Sequence, residues 1–366
     1  MEEIRTFREE HSEEVAKLYL RVMRGQQGSN SQALKEYLQR IFLQHPWPQE
    51  GVESLLYVQD GQIVGFLGVI CRRMNFSGRA ITAGIMTQFM IDRELHKGKG
   101  PRYLLQEFFS GPQDLSYTDG ASEPAAKAWE KAGGDAARLY SFNWLRTLRP
   151  VATIQEHTTG RLRGGVWTAI NGAVGLLGAP IDAVAQRFLR PTTPYETVAV
   201  DSAALFETIT DIGWREKLKP SYQRESFNWL IAEASQAKYG QLRLRVTREQ
   251  DGKACGWFVY YLKPGGVCYV LQIGARRADQ YRGVLRALFA DAAAGGGTCV
   301  KGQSQPRHLV DLTEEHCLFR HPNSSVLIAS RDPELKAAIH RGDAALSRLD
   351  GESWLRFSVE DWLKPS

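Results

Sequence analysis

Apolar residues recur along this chain at two spacings, every second position and every third or fourth, and the switches between them mark its elements. Ile4 to Arg8 alternates as a short strand. From Ser12 the apolar positions Val15, Leu18, Tyr19 and Val22 share one helical face, behind a capping serine and the first-turn acids Glu13 and Glu14. Leu34, Leu38, Ile41 and Phe42 mark a second helix over 31–43, ended by Pro46 and Pro48. Ser54 to Gln59 and Gln62 to Asn75 read as strands joined by an Asp60-Gly61 hairpin turn. Ser77-Gly78 turns the chain into a further β-favouring run that ends near Ile91. A glycine-containing loop follows, then a helix with Tyr103, Leu104, Leu105, Phe108 and Phe109 as its apolar positions. Leu115 to Thr118 predicts a buried strand, Ser122 to Ala132 a helix with Gly133-Gly134 past its end, and Leu139 to Leu148 a strand closing the unit before Pro150.

The pattern then starts again. Asp60-Gly61-Gln-Ile-Val-Gly65-Phe66 recurs as Asp251-Gly252-Lys-Ala-Cys-Gly256-Trp257, with a strand before (Leu242 to Arg248) and two after (Gly256 to Leu262, Val267 to Gly274). Upstream lie a strand at Glu196 to Val200 and helices near Ala203 to Ile212 and Arg224 to Ala237. Downstream, Gln280 to Ala294 reads as a helix, Thr298 to Gly302 as a strand, Glu334 to Arg341 as a helix and Trp354 to Phe357 as a strand. Between the two runs, 164–181 carries no charge but five glycines, too broken for a spanning helix. A connecting helical segment is the reading of 151–194, with weak peripheral membrane contact through 164–190 as the sharper alternative.

The chemistry concentrates at Lys97-Gly98-Lys99-Gly100-Pro101-Arg102. Two glycines leave backbone amides unshielded, the following helix directs the positive end of its dipole at the loop, and three cations surround it. That suits a pyrophosphate; a solvated turn is the plainer alternative. It is not a P-loop, since no Lys-Ser/Thr follows the second glycine, and it lacks the third glycine of a dinucleotide fingerprint.

Composition narrows the field. A chain of 366 residues has room for about two domains with real cores. Its net charge of +5 tolerates a nucleotide cofactor, while no basic run interleaved with aromatics signals DNA. The five cysteines are scattered, with no Cys-x-x-Cys and no paired histidines, so neither disulfides nor a structural metal are expected. The acidic N-terminus does not read as a signal peptide, and a bacterial-type cytoplasmic enzyme is the expectation.

Written as β-α-α-β-β-β-(glycine loop)-α-β-α-β, residues 1–150 resemble the GNAT acyltransferase superfamily, whose motif Arg/Gln-x-x-Gly-x-Gly/Ala falls on residues 97–102. Gly100 matches the central glycine; Lys97 stands where Arg or Gln is usual, and Arg102 where a small residue is usual. The resemblance implies an acyl-CoA whose pyrophosphate sits on amides of Lys97, Gly98, Lys99, Gly100, Pro101 and Arg102, with pantetheine beside Phe89, Met90 and Ile91 where two parallel strands splay apart. It also implies direct attack by an amine on a thioester carbonyl polarised by a strand amide. Many members carry a tyrosine acid where this chain has Trp129, so Tyr117, Asp119 and Glu123, near the end of the fifth strand, become the candidate catalytic residues. An ordinary loop entry and a first-turn acid are their plainer readings.

The expected fold class is therefore α/β (α+β): two GNAT-like domains, each a mixed, centrally splayed sheet flanked by helices. The expected division is 1–150, a connector over 151–194, and 195–366 as a second copy without the phosphate loop. There, Arg276, Arg277, Arg282, Lys301 and Arg307 offer either a basic face for an anionic acceptor or scattered solvated charges. The expected function is acyl-CoA-dependent N-acyltransfer, acetyl-CoA by default, to an amine of a small molecule, sugar or peptide. An aminoacyl-tRNA-dependent transferase and a non-catalytic acyl-CoA sensor are the alternatives.

Overall fold

A computed structural model describes residues 2–24, 31–92, 94–95, 100–153, 192–236, 240–320 and 325–355. These fall into two compact units, one drawn from the spans Met1–Ser141, Glu216–Ala234 and Pro322–Ser366, the other from Phe142–Arg215 and Ser235–His321.

The strands of the first half are β1 (Glu2–Thr6), β2 (Leu55–Gln59), β3 (Gln62–Phe76), β4 (Arg79–Ile91), β5 (Leu115–Ala121), β6 (Asp135–Ala136) and β7 (Asn143–Thr147). Those that follow are β8 (Glu196–Ala199), β9 (Leu218–Pro220), β10 (Gln241–Arg248), β11 (Ala254–Leu262), β12 (Val267–Ala275), β13 (Cys299–Gln303), β14 (Leu318–Arg320) and β15 (Ser325–Ala329). The first sheet runs β1-β2-β3-β4-β5-β15-β6, with β9 paired to the far end of β3. The second, read from its other edge, runs β8-β10-β11-β12-β13-β7-β14. The two orders correspond strand for strand, and in each the fourth and fifth strands form a parallel pair. The repeated Asp-Gly motif lies at equivalent hairpins, β2–β3 and β10–β11, and both glycines take the positive φ the turn requires.

The helices of the first half are α1 (Ser12–Arg24), α2 (Ser31–Phe42), α3 (Gly100–Ser110), α4 (Glu123–Lys131) and α5 (Arg138–Ser141). Those of the second are α6 (Ser202–Ile212), α7 (Arg224–Ser235), α8 (Ala278–Ala294), α9 (Leu309–Glu314) and α10 (Pro333–His340). In the first unit α2 lies on one face of the sheet: Phe42 packs edge-on against Phe66 and Phe7, and a Cβ at Gly68 would meet the Phe42 ring at 2.5 Å. The opposite face carries α3, whose Leu104 and Phe108 lie over Gly65 and Gly84. In the second unit α8 buries Tyr281, Val284, Leu285, Leu288 and Phe289 on its sheet. All five cysteines are buried and free.

Three expectations are corrected. The Leu139–Leu148 segment is a short helix followed by β7, and β7 does not close the first unit. It pairs with β13 and β14 in the second sheet, because Trp144 lies against the bare backbone of Gly302 and its Nε1 donates to the Gln303 carbonyl at 3.0 Å. Its counterpart in the first sheet is β15, a strand the sequence reading passed over, whose Ile328 carbonyl accepts the Trp129 Nε1–H at 3.0 Å. The division at residue 150 therefore does not hold: each unit takes one strand from the other half of the chain. Finally, Ser353–Leu355 is a helical turn rather than the start of a strand; Phe357 lies outside the described residues.

Candidate functional site

β4 and β5 pair over only three positions, Ala83–Leu115, Gly84–Ser116 and Ile85–Tyr117. Beyond Ile85 the two strands part, β4 continuing along β3 and β5 along β15. The parting coincides with a β-bulge: Thr87 opposes Gly68 and Met90 opposes Phe66, so Gln88 and Phe89 together face one residue of β3. Gln88 takes φ +52° to make it, a left-handed conformation uncommon for a side chain other than Gly, Asn or Asp. A bulge bends its strand and leaves backbone polar groups outside the ladder, here along the open edge of β4.

A cleft of about 680 Å³ occupies this opening. Its walls are Arg21, Val22 and Met23 of α1, Phe89, Met90 and Ile91 of β4, and Asp92 and Glu94 after it. Pro101 of α3 and Ser122, Pro124, Ala125 and Ala128 at the start of α4 complete it. The three β4 residues expected beside pantetheine thus all line the cleft. Lys97, Gly98 and Lys99 lie outside the described residues. Gly100 opens α3 and is buried, with a Cβ there placed 2.4 Å from the Tyr57 ring, so the absence of a side chain is a packing requirement whatever the loop binds. Pro101 lines the cleft, and Arg102 is exposed in the first turn of α3.

The candidate acids stand elsewhere. Tyr117 is 1% exposed, between Ile85 of β4 and Ile328 of β15. Asp119 accepts hydrogen bonds from the Glu352 amide at 2.6 Å and the Ser353 hydroxyl at 2.7 Å, capping the Ser353–Leu355 turn. Glu123 is exposed on α4 and pairs with Lys127 at 2.7 Å, a bond that holds its carboxyl below the usual range. It is the neighbouring face of α4, with Ala125 and Ala128, that borders the cleft. Trp129 is fully buried against Phe109, at 4.7 Å between ring centroids.

A charged pair not anticipated from the sequence sits in the cleft wall. Arg21 Nε donates to Asp92, whose other oxygen accepts the amides of Glu94 at 3.0 Å and Leu95 at 3.2 Å. Burial alone would raise the Asp92 carboxyl; Arg21 and those amides outweigh it and hold the group low. The available signal was an acid directly after the apolar strand, in position to accept the amides of the turn that follows.

The second unit repeats the parallel pairing, with β12 meeting β13 over Val267–Cys299, Cys268–Val300 and Tyr269–Lys301, and a register shift in β12 beside it. What differs is the connection. α8 starts three residues after β12, and its entrance is filled by the chain's own groups. Arg276 pairs with Asp211, Arg277 with Asp279 at 3.1 Å, and the Gln280 side chain accepts the Arg277 amide. Arg282 is engaged by Glu314 and Glu315. The arginines counted as a basic face are largely ion-paired. Among the described residues no cluster of acids, histidines and cysteines suited to a metal occurs, and no helix is long and apolar enough to cross a membrane.

No family model matches the sequence, and no curated protein does. Solved structures match throughout. A conserved Enterococcus faecalis protein of unknown function superposes with a TM-score of 0.58 at 10% identity, over 90% of this chain and 73% of its own. A GCN5-related N-acetyltransferase from Anabaena variabilis gives 0.57 at 10% identity, over 91% and 73%. Yeast N-myristoyltransferase, solved with myristoyl-CoA bound, gives 0.51 at 13% identity, over 94% and 84%. Identities this low speak to architecture alone, and the architecture agrees with the splayed, bulged sheet found here. The chain has the GCN5-related N-acetyltransferase (GNAT) fold, present twice.

Proposed function

We propose that the protein is an acyl-CoA-dependent N-acyltransferase, with acetyl-CoA as the default donor and an amine of a small molecule, sugar or peptide as acceptor. The observation that carries this reading is the coincidence of three features at one place: the splay of β4 from β5, the Gln88–Phe89 bulge, and a cleft that reaches the first turn of α3. An extended pantetheine arm needs an unpaired strand edge to bond to, and a diphosphate needs a helix start. Both are at the cleft. The names of the structural neighbours, N-acetyltransferase and N-myristoyltransferase, support the same chemistry.

In the reaction the amine attacks the thioester carbonyl, a C–N bond forms, the C–S bond breaks, and coenzyme A leaves as thiol once the amine proton is lost. Backbone N–H groups at the open edge of β4 are the donors for the developing oxyanion. The Arg21–Asp92 pair and the apolar Phe89, Met90 and Ile91 hold the arm. Lys97, Lys99 and Arg102 supply positive charge to the diphosphate. Since Tyr117 and Asp119 are committed to packing and capping, we assign proton removal to water in the cleft rather than to the three acids near β5.

The test is a melting curve of the full chain with coenzyme A, acetyl-CoA and longer acyl-CoAs, followed by thiol release across an amine panel. A bound coenzyme at a hundredfold excess over Kd stabilises by about 2.7 kcal/mol, a shift of roughly 5–10 °C. Arg102→Glu and the double substitution Lys97→Glu/Lys99→Glu are expected to weaken binding at least tenfold. No stabilisation by any coenzyme at millimolar concentration would overturn the reading. Stabilisation without thiol release would leave an acyl-CoA-binding protein that lacks the transfer step.

A further inference from the structure

Arg72 projects from the middle of β3, opposite Ala83, on the sheet face that also carries α2. It is 5% exposed, and none of its three guanidinium nitrogens has a hydrogen-bond partner. One flat side of the guanidinium lies on the Trp47 indole, 3.9 Å from Cζ to the ring centroid. Trp47 in turn meets Trp229 edge-on at 5.3 Å. The surrounding groups do not compete for the cation. His45, 7% exposed, uses Nδ1 to accept the Trp47 amide and is uncharged at neutral pH, its pKa pushed down to about 4 by burial and by Arg72. Asp350 is the nearest countercharge, yet its oxygens accept from the Tyr222 and Ser347 hydroxyls.

A guanidinium carries five N–H donors, and burying one without bonds is among the most expensive arrangements a core can hold. Such violations of local rules are retained where a ligand completes the site. With one face covered by indole, the donors remaining lie in the plane of the group, the geometry that receives a planar oxyanion in two parallel bonds. Tyr222 and Trp229 are half-buried and make the rim. Asp350 already offsets one positive charge, so a monoanion suits the site better than a doubly charged phosphate. We propose that Arg72, stacked on Trp47 beneath the Tyr222–Trp229 rim, receives the carboxylate of a bound ligand. The proposal stands apart from the acyl-transfer reading and does not depend on it.

The experiment is a melting series on the full chain with sodium acetate and sodium benzoate, against inorganic phosphate and against sodium chloride at matched ionic strength. Carboxylates are expected to raise the midpoint of the wild type by several degrees in a saturable way, and to leave Arg72→Met unmoved. Without ligand, Arg72→Met is expected to melt no lower than the wild type, because an apolar chain of similar length needs no partner there. Arg72→Lys keeps the charge and loses the fork, and its carboxylate affinity is expected to fall at least tenfold. Equal shifts in wild type and variants, shifts matched by chloride, or stabilisation by phosphate in place of carboxylates would each overturn the proposal. Should Arg72→Met fail to fold, Arg72→Lys decides: an unchanged carboxylate response there is equally fatal.

Discussion

Gly100 shows how one position can carry two explanations. As the conserved-looking centre of a phosphate loop it invites substitution as a test of coenzyme binding, yet its missing Cβ leaves room for the Tyr57 ring. Gly100→Ala is expected to cost about 1–3 kcal/mol by overpacking, read as a lowered melting temperature without any ligand present. The exposed Arg102, whose reversal changes stability by no more than about 0.5 kcal/mol, is the cleaner probe of the same site. His45 makes a second residue-scale prediction. Its folded pKa, about 4, lies below the unfolded 6.5, so between those values the unfolded chain binds the extra proton. Stability therefore rises from pH 4 to pH 6.5 and is flat in this group's contribution above that, with a span on the order of 3 kcal/mol. His45→Asn, which keeps an acceptor for the Trp47 amide, is expected to flatten the slope in denaturant titrations run across that range.

At the scale of elements, the bulge in β4 is the part with the sharpest consequence. Gln88→Gly is expected to be neutral or mildly stabilising, since glycine adopts φ +52° freely, whereas Gln88→Val should cost about 1–2 kcal/mol. Deleting Gln88 restores a regular ladder and flips Phe89, Met90 and Ile91 to the opposite faces. Coenzyme stabilisation is then expected to vanish while a cooperative melt persists. Much of this layer was legible: alternation marked β2 to β4, the Asp-Gly pairs marked both hairpins, and the helical face of α1 was written in Val15, Leu18 and Tyr19. The bulge was not, because a one-residue slip in pairing leaves no trace in composition. Nor were the orientations of Tyr117 and Asp119. What engages Asp119 is Glu352 and Ser353, more than two hundred residues away, and no local pattern reports so distant a partner. β15, Ser-Val-Leu-Ile-Ala, is short and apolar, the kind of run that periodicity leaves ambiguous.

For the whole molecule, the exchange of β7 and β15 decides what can stand alone. A fragment of residues 1–150 lacks β15, and one of 195–366 lacks β7, so neither holds a complete sheet. Each is expected to fail to melt cooperatively when made separately. Fragments 1–153 and 192–366 produced together are expected to co-purify and to recover a cooperative transition, followed by circular dichroism; independent folding of the first fragment would contradict the strand assignment. The exchange also sets a schedule for synthesis. The β5 edge that β15 will cover is finished at Ala121, and its partner begins only at Ser325. At translation rates of about 5–20 residues per second, that edge waits roughly 10–40 seconds with its backbone groups open on the nascent chain. The first sheet is begun first and sealed almost last, so the interval in between is when this protein is most exposed to aggregation and most in need of a chaperone.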